Sequence, residues 1–364
     1  MWSFAILREG NELRPGIPTT PNEFFSIVEE SGLVEQDDMV RMARLLDPDQ
    51  NHAEPRKVAV KFVQEGLLTR FQANQLLLGR PKGFFVGRYR ILELVGVGAM
   101  GKVYSAEHVL MRRKVAVKIL PLQRLSETSA VDRFKREARA IGQLNHPNIV
   151  QAYDFDHVGS LWYLVLEYVD GKSLQEIVYR RGPIEWLKAS NYIRQAAAAL
   201  QHASELGVVH RDVKPANLLL DKSEVIKVLD MGLAKVFGEL FEVEQLPLTR
   251  RYDERILGTA DYLAPEQAED CHSVDIRADI YSLGLTMHYL VTGKSPCCEG
   301  RTADKLRWHR TSGPPRLDEV APAVPTALAD VVAKMTARSP DERWRAPNEL
   351  RAALTPFCDR ADGE

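Results

Sequence analysis

The chain has 364 residues, of which 45% are apolar and 27% are charged, and it carries a formal net charge of −2. These values are typical of a globular protein, and the small net charge gives no indication of binding to nucleic acid or to a membrane surface. No apolar run approaches the roughly 20 residues that a membrane span needs, and the N-terminus lacks the basic start of a signal peptide. The four cysteines form no Cys-x-x-Cys pair, which indicates free thiols. We therefore expect a cytoplasmic protein without a membrane span and without a nucleic-acid partner.

The N-terminal part of the chain begins irregularly and then becomes helical. Residues 1–19 have no clear hydrophobic period and are predicted to form a flexible tether. Thr20 and Glu23 frame a capping box, with Pro21 at the first helical position. This pattern predicts the start of a helix.

Three more helices are predicted before residue 81. Apolar stripes indicate helices over residues 36–46 and 55–65, and Thr69 with Gln72 forms a second capping box at the start of the last helix. We interpret residues 20–80 as a small all-α domain. It carries no nucleophile set, metal cluster or phosphate loop. Its role stays open between a regulatory module that binds a partner and a packing appendage of the following domain.

A glycine-rich stretch follows, with Gly96, Gly98 and Gly101 in a Gly-x-Gly-x-x-Gly pattern. Dinucleotide-binding folds use the same pattern, but there the glycines open a helix. Here residues 103–108 read as a strand, and a strand–turn–strand lets glycine backbone lie over phosphates. The stretch is therefore predicted to be a phosphate-binding flap. Its residues are Val95, Gly96, Val97, Gly98, Ala99, Met100, Gly101, Lys102 and Val103.

Lys118 lies in the alternating pattern of residues 115–119, which predicts a strand. A lysine on a strand is ordinarily a solvated surface residue, so its interpretation depends on the motifs around it. Residues 134–138 have a helical pattern that contains Glu137, a candidate ion-pair partner for this lysine.

The most informative stretch comprises residues 210–217, followed downstream by Asp230. It carries one carboxylate (Asp212), one ammonium (Lys214) and one carboxamide (Asn217). This set suits phosphoryl transfer, because a carboxylate can accept the proton of an attacking hydroxyl and an ammonium can neutralise phosphate charge. The carboxamide and a second carboxylate can hold metal ions on the phosphates.

These motifs resemble the catalytic loop and the metal-binding loop of protein kinases, and Lys214 belongs to the serine/threonine version of that loop. The ordered set covers residues 89–357 and is similar to that of bacterial Hanks-type serine/threonine protein kinases. The resemblance implies an α+β fold with two lobes, a β-rich N-lobe over residues 89–168 and a helical C-lobe over residues 169–357. The small all-α domain precedes it, and residues 358–364 are expected to form a disordered tail.

The resemblance also implies a role for each motif residue. Asp212 acts as the general base or orients the substrate hydroxyl, and Lys214 neutralises the γ-phosphate of ATP. Asn217 and Asp230 hold Mg²⁺, with Mn²⁺ as an alternative. Lys118 contacts the α- and β-phosphates and is held there by Glu137.

The nucleotide itself is expected against the strand that runs up to residue 168. Backbone groups of Glu167 and Val169 correspond to those that bond the adenine edge, and Ser173 lies where the family often contacts ribose. Ordinary core packing is the alternative for the apolar residues that would enclose the ring. These residues are Val95, Val103, Ala116 and Leu219.

Residues 233–257 correspond to the activation segment. Thr249 is the candidate phosphorylation site, because Arg211 beside the catalytic aspartate could pair with a phosphate there. An unmodified loop threonine is the alternative. Thr259 begins the stretch that would dock a protein substrate.

Further residues are expected to support the site. His210 is interpreted as structural rather than as a base, and Asp279 as the anchor of the catalytic loop. Glu266 is expected to form a buried ion pair with Arg343. Met231 replaces the phenylalanine that is usual after the metal-binding aspartate, and we expect it to leave metal binding intact.

The sequence therefore predicts a serine/threonine protein kinase that phosphorylates protein substrates, including itself. A homodimer for trans-autophosphorylation and a regulatory partner at residues 20–80 are further expectations. A pseudokinase is the first rival, although only Met231 departs from the active pattern. A small-molecule kinase is the second, and Lys214 and the docking stretch argue against it.

Overall fold

The computed structural model describes residues 16–45, 54–98, 101–120, 139–232, 260–268, 274–297 and 299–358. The chain forms two compact units. The first contains Met1–Arg124 and Tyr153–Tyr168, and the second contains Leu125–Ala152 and Val169–Glu364. No helix in the described ranges combines the length and the apolar character that crossing a bilayer would require.

The first unit begins with four helices: α1 (Pro21–Ser31), α2 (Gln36–Leu45), α3 (Pro55–Gln64) and α4 (Arg70–Leu77). Both predicted capping boxes are present, at the starts of α1 and α4. α1 ends at Gly32, whose φ of 65° is in the left-handed region that glycine adopts without strain. The helices pack around Phe24 and Phe62, whose rings meet edge to face at 6.1 Å. The predicted small all-α domain is thus a bundle with its own core.

The same unit contains a six-stranded sheet in the order β1-β2-β3-β4-β6-β5. Its strands are β1 (Phe85–Val86), β2 (Tyr89–Gly98), β3 (Gly101–His108), β4 (Lys114–Leu120), β5 (Ala152–Val158) and β6 (Leu161–Glu167). β2 pairs antiparallel with β3, and β3 pairs antiparallel with β4. Apolar side chains on one face, among them Ile91, Val117 and Tyr163, form the core of this sheet.

The second unit is mainly helical, with a small sheet in the order β7-β8-β9. Its elements are β7 (Gly171–Ser173), α5 (Leu174–Arg181), α6 (Trp186–Glu205), β8 (Leu218–Asp221), β9 (Ile226–Val228), α7 (Ile276–Thr292), α8 (Thr302–Thr311), α9 (Leu317–Val320), α10 (Thr326–Met335) and α11 (Pro347–Leu354). Gly171–Ser173 is a strand, and α5 begins only at Leu174 because the hydroxyl of Ser173 caps it.

The core of the second unit lies around the alanine-rich helix α6. Ala196, Ala197 and Ala203 are fully buried there, and α7 and α11 pack against the helix. Small side chains allow such close helix approach, so the alanine pattern has a packing role. Cys297 and Cys358, the two cysteines within the described ranges, are free thiols.

Candidate active site

The catalytic loop is held by a buried histidine. The backbone N–H of Asp212 donates to Nδ1 of His210 (3.2 Å), and Nε2 of His210 is 2.8 Å from the carbonyl oxygen of Leu229. A carbonyl can only accept, so Nε2 carries the proton and Nδ1 accepts. Both ring nitrogens are therefore used inside the fold. This arrangement agrees with the structural interpretation of His210.

The three polar side chains of the loop converge on one carboxylate. Nζ of Lys214 lies 2.9 Å from both carboxylate oxygens of Asp212. Nδ2 of Asn217 donates to the main-chain oxygen (2.8 Å) and to Oδ2 (3.0 Å) of the same aspartate. The amide nitrogen of Asn217 is thus committed to Asp212, which leaves its Oδ1 as the atom that can serve a metal ion.

Asp279 anchors the loop from α7, as predicted. Its carboxylate accepts the backbone N–H groups of His210 (2.7 Å) and Arg211 (2.8 Å). Complete burial raises the pKa of Asp279, while the backbone N–H donors of His210 and Arg211 and the charge of Arg211 act in the opposite direction. The two bonds fix Arg211 in a left-handed conformation with φ of 67°, which sets the path of the chain into Asp212.

The metal-binding motif is tied to the same loop. The backbone N–H of Leu229 donates to the carbonyl of Asn217 (2.9 Å), so Asp230 directly follows a residue bonded to the catalytic loop. Asp230 has a φ of 54°, a conformation that is uncommon outside glycine and asparagine. Met231 is buried in the apolar core of the second unit. It therefore fills a core position, as a flexible apolar side chain can.

The docking stretch rests on the predicted ion pair. Nη1 and Nη2 of Arg343 lie 2.6 and 2.9 Å from the two carboxylate oxygens of Glu266, a bidentate contact. The buried guanidinium also donates to the main-chain oxygens of Ala337, Arg277 and Arg338. Each of its nitrogen atoms has an acceptor, which is the condition for burying a charge.

Sequence reasoning missed several residues that hold this stretch. Nε2 of Gln267 donates to the carbonyl of Arg211 (3.0 Å), which joins the docking stretch to the catalytic loop. Lys305 on α8 forms an ion pair with Asp261. His309 on α8 bonds Ala260 through Nε2 (2.8 Å). The adjacency of Gln267 to Glu266 was the only signal available for the first, and the two α8 contacts depend on long-range packing.

The described residues on the two sides of the glycine flap form paired strands. Gly96 pairs with Val103 and Val97 with Lys102, so β3 and not a helix follows the glycines. Gly101 has a φ of 119°, which side chains rarely tolerate. This geometry is the one predicted for a flap and differs from that of a dinucleotide-binding loop.

Lys118 is buried on β4, with only 2% of the residue exposed. Its partners in register are Val103 on β3 and Leu164 on β6. Because cross-strand partners share a face of the sheet, Val103, Ala116 and Lys118 lie on the same face. A buried ammonium requires a polar partner. Lys118 is therefore not the solvated surface lysine that is usual on a strand.

Two of the candidate nucleotide residues are neighbours in the second unit. Ser173 pairs with Leu219 in the small sheet. The hydroxyl of Ser173 accepts from the backbone N–H of Glu176 (3.1 Å) and caps α5, so its predicted contact with ribose stays a prediction. Glu167, the last residue of β6, and Val169 are both half-buried. Five predicted site residues lie outside the described part of the chain: Ala99, Met100, Glu137, Thr249 and Thr259.

Comparisons with known proteins agree with this geometry. The protein kinase domain model matches residues 89–353. The serine/threonine-protein kinase PrkC of Bacillus subtilis is 35% identical over 274 residues, which is 75% of this chain and 41% of that protein. PknB of Mycobacterium leprae is 35% identical over 271 residues, or 73% of this chain and 42% of that protein. The chain thus spans less than half the length of these relatives.

A solved structure gives the same picture at the level of the fold. The kinase domain of PknI from Mycobacterium tuberculosis aligns with a TM-score of 0.59 and 25% identity. The alignment covers 76% of this chain and 98% of that domain. The helices α1 to α4 precede the part of the chain that the kinase domain model matches.

Proposed function

This chain belongs to the bacterial Hanks-type serine/threonine protein kinases, and from that premise we propose that it transfers the γ-phosphoryl group of ATP to serine and threonine hydroxyls of protein substrates. The observation that carries the proposal is the contact of Lys214 with both carboxylate oxygens of Asp212. It joins a proton acceptor to a cation that can neutralise phosphate charge, which are the two groups that the transfer requires.

The chemistry follows from the positions of these side chains. A substrate hydroxyl that attacks the γ-phosphorus gives up its proton to the carboxylate of Asp212, and the bond from that phosphorus to the bridging oxygen of ADP breaks. Nδ2 of Asn217, bonded to the same carboxylate, fixes its orientation. The contribution is positioning and electrostatic stabilisation, with no covalent step on the protein.

The family uses a divalent metal with ATP, and we propose Mg²⁺, with Mn²⁺ as the alternative. Asn217 and Asp230 would hold it through oxygen atoms, the ligands that this ion prefers. Such an ion would supply positive charge that offsets the negative charge of the phosphates. Lys118 would contact the α- and β-phosphates, and Glu137 is its proposed partner.

A pseudokinase remains the alternative that Met231 favours, because this residue is the one departure from the usual motif. Met231 itself is buried in the apolar core of the second unit, a position that a flexible apolar side chain can fill. Intact mass after incubation with Mg²⁺ and ATP, beside an Asp212→Asn variant, tests the proposal. We expect the wild type to gain whole phosphates and the variant to be slower by at least about 10²-fold. Nucleotide binding without phosphorylation of itself or of a generic basic protein would make the chain a pseudokinase.

The same experiment extends to regulation. We propose that a second copy of the chain phosphorylates Thr249 and that residues near Thr259 dock the substrate. Wild-type enzyme mixed with Asp212→Asn should phosphorylate the inactive copy at Thr249. Phosphate on the wild type alone would indicate transfer within one chain instead.

A further inference from the structure

The N-terminal helical bundle contacts the strand that leads into the glycine flap. β1 pairs with β2 at Tyr89 and Arg90, and the backbone N–H of Ile91 donates to the carbonyl of Phe84. Beyond that point, no further strand pairs with the outer edge of β2 in the described part of the sheet. The start of α4 lies against this edge and contacts β2. An edge that would expose unpaired carbonyls is therefore covered by a helix.

Two side chains of α4 supply the hydrogen bonds that a neighbouring strand would otherwise give. Nε2 of Gln72 donates to the carbonyl of Ile91 at 2.6 Å, and Oγ1 of Thr69 donates to the carbonyl of Leu92 at 2.6 Å. Gln72 is 2% exposed. The bond of Gln72 is buried and that of Thr69 is partly buried, and a carbonyl left without a partner in such a place is costly.

The same two side chains form the capping box of α4. Oγ1 of Thr69 accepts from the backbone N–H of Gln72 (3.1 Å), and Oε1 of Gln72 accepts from the backbone N–H of Thr69 (2.9 Å). Each side chain thus makes one hydrogen bond that caps α4 and another to a carbonyl of β2. The capping box of α1 is different, because its hydrogen bonds stay within residues 19–23 of the described chain.

The contact falls on an irregularity in β2. The register with β3 shifts between Ile91 and Glu93, so that Leu92 is an extra residue. In a regular strand consecutive carbonyls point to opposite edges, whereas here those of Ile91 and Leu92 both bond α4. A bulge of this kind bends the strand and increases its twist. The direction of residues 94–98, the first arm of the flap, therefore depends on this bulge, together with a second shift of register between Leu94 and Gly96.

A ring contact adds to the hydrogen bonds. Phe71 of α4 packs against the core of the sheet, with its ring 6.2 Å from that of Tyr104 on β3. Tyr104 pairs with Leu94 at the base of the flap. Both arms of the hairpin are thus contacted by α4 near their base.

We propose that Thr69 and Gln72 are positioning residues for ATP, which hold the bulge at Leu92 and through it set the glycine flap over the phosphates. The bundle is then a working part of the nucleotide site and not a packing appendage. This inference rests on the proposed phosphate-binding role of the flap. It implies that any event that moves α4 changes the affinity for ATP, and that ATP in turn stabilises the contact.

The full chain with Gln72→Glu provides the sharpest test. A glutamate still accepts the N–H of Thr69 and caps α4, but it presents a carboxylate to the carbonyl of Ile91 where the amide donated. We expect the KM for ATP to rise about fivefold with a smaller change in kcat. Without the bond to Ile91, part of the binding free energy of ATP is used to order the flap. Hydrogen exchange of residues 93–103 should become faster, and saturating ATP should slow it again.

Two matched comparisons separate this effect from the loss of a helix cap. Thr69→Val should raise the KM for ATP, whereas Thr69→Ser, which keeps the hydroxyl, should restore it. Thr20→Val removes the corresponding hydroxyl from α1 and should leave the KM at the wild-type value. Equal KM values for folded wild type, Gln72→Glu and Thr69→Val would overturn the inference. A wild type that neither binds nor uses ATP would instead overturn the proposed function.

Discussion

A single neutral histidine links the docking stretch to two helices. Nδ1 of His309 lies 3.0 Å from the hydroxyl of Tyr281, and its Nε2 lies 2.8 Å from the carbonyl of Ala260. The carbonyl requires the proton on Nε2, so Nδ1 accepts from the tyrosine. Burial lowers the pKa of His309 to about 4. A second proton would leave Nδ1 unable to accept, so the native network requires the neutral ring.

Because the pKa of His309 is lowered in the native state, we expect the protein to lose stability below neutral pH. Its pKa rises to about 6.5 on unfolding, so the unfolded chain binds more protons than the native one between about pH 4 and 6.5. Stability is therefore complete above pH 6.5 and falls as the pH decreases, by about 1 kcal/mol between pH 7.5 and 5.5 for this one residue. His309→Gln, whose amide can both donate and accept, should remove that share. Denaturant midpoints at the two pH values measure it.

The control is an exposed histidine. His157 lies on the surface of β5, and His157→Gln should leave the difference between the two pH values unchanged. His288, whose pKa burial also lowers to about 4, keeps some pH dependence in every variant. An undiminished pH difference in folded His309→Gln would contradict the prediction.

At the scale of the element, α7 and the end of α10 approach closely at a glycine. A methyl group added to Gly284 in the middle of α7 would lie 2.5 Å from Cγ2 of Thr336 and 2.9 Å from Cβ of Met335. Alanine is the better helix former by about 1 kcal/mol, but overpacking costs about 1–3 kcal/mol. We expect Gly284→Ala to lower the free energy of unfolding by up to about 2 kcal/mol, measured by chemical denaturation.

Gly142 offers a matched control. It is also helical, and a methyl group added there would meet nothing within 4 Å. Gly142→Ala should therefore be neutral or slightly stabilising, since only the propensity term remains. If both substitutions had the same effect on stability, the close approach at Gly284 would not be a source of strain.

Local chemistry explains which elements the sequence could predict. The capping boxes at Thr20 and Thr69 need partners only three residues away, and both were predictable. The pair of Glu266 and Arg343 spans a long separation, yet the family resemblance indicated it. β1 was not predicted, because two residues that pair only with β2 leave no hydrophobic period. Contacts such as that of His309 with Ala260 depend on packing that no local pattern encodes.

At the scale of the whole molecule, the same limit applies to the bundle. Its helices were predictable from apolar stripes, but their place was not, since the hydrogen bonds of Gln72 and Thr69 to β2 join residues about twenty positions apart. The capping pattern predicted only the hydrogen bonds that these side chains make within α4. The bundle and the sheet form one compact unit, so residues 20–80 pack on the sheet of the following domain.

Because the bundle and the sheet share one unit, we expect the kinase domain to be less stable without its N-terminal residues. Deletion of residues 1–82 would remove the hydrogen bonds to Ile91 and Leu92, uncover Tyr104 where Phe71 packs, and expose Phe84, which belongs to the core of the bundle. We expect a lower melting temperature by more than about 5 °C, since each kcal/mol corresponds to roughly 2–4 °C in a domain of this size. Val60→Ser on the exposed side of α3 should leave the melting temperature of the full chain unchanged. A truncated chain that melts with the full one would mean that the contacts of α4 contribute nothing to the stability of the sheet.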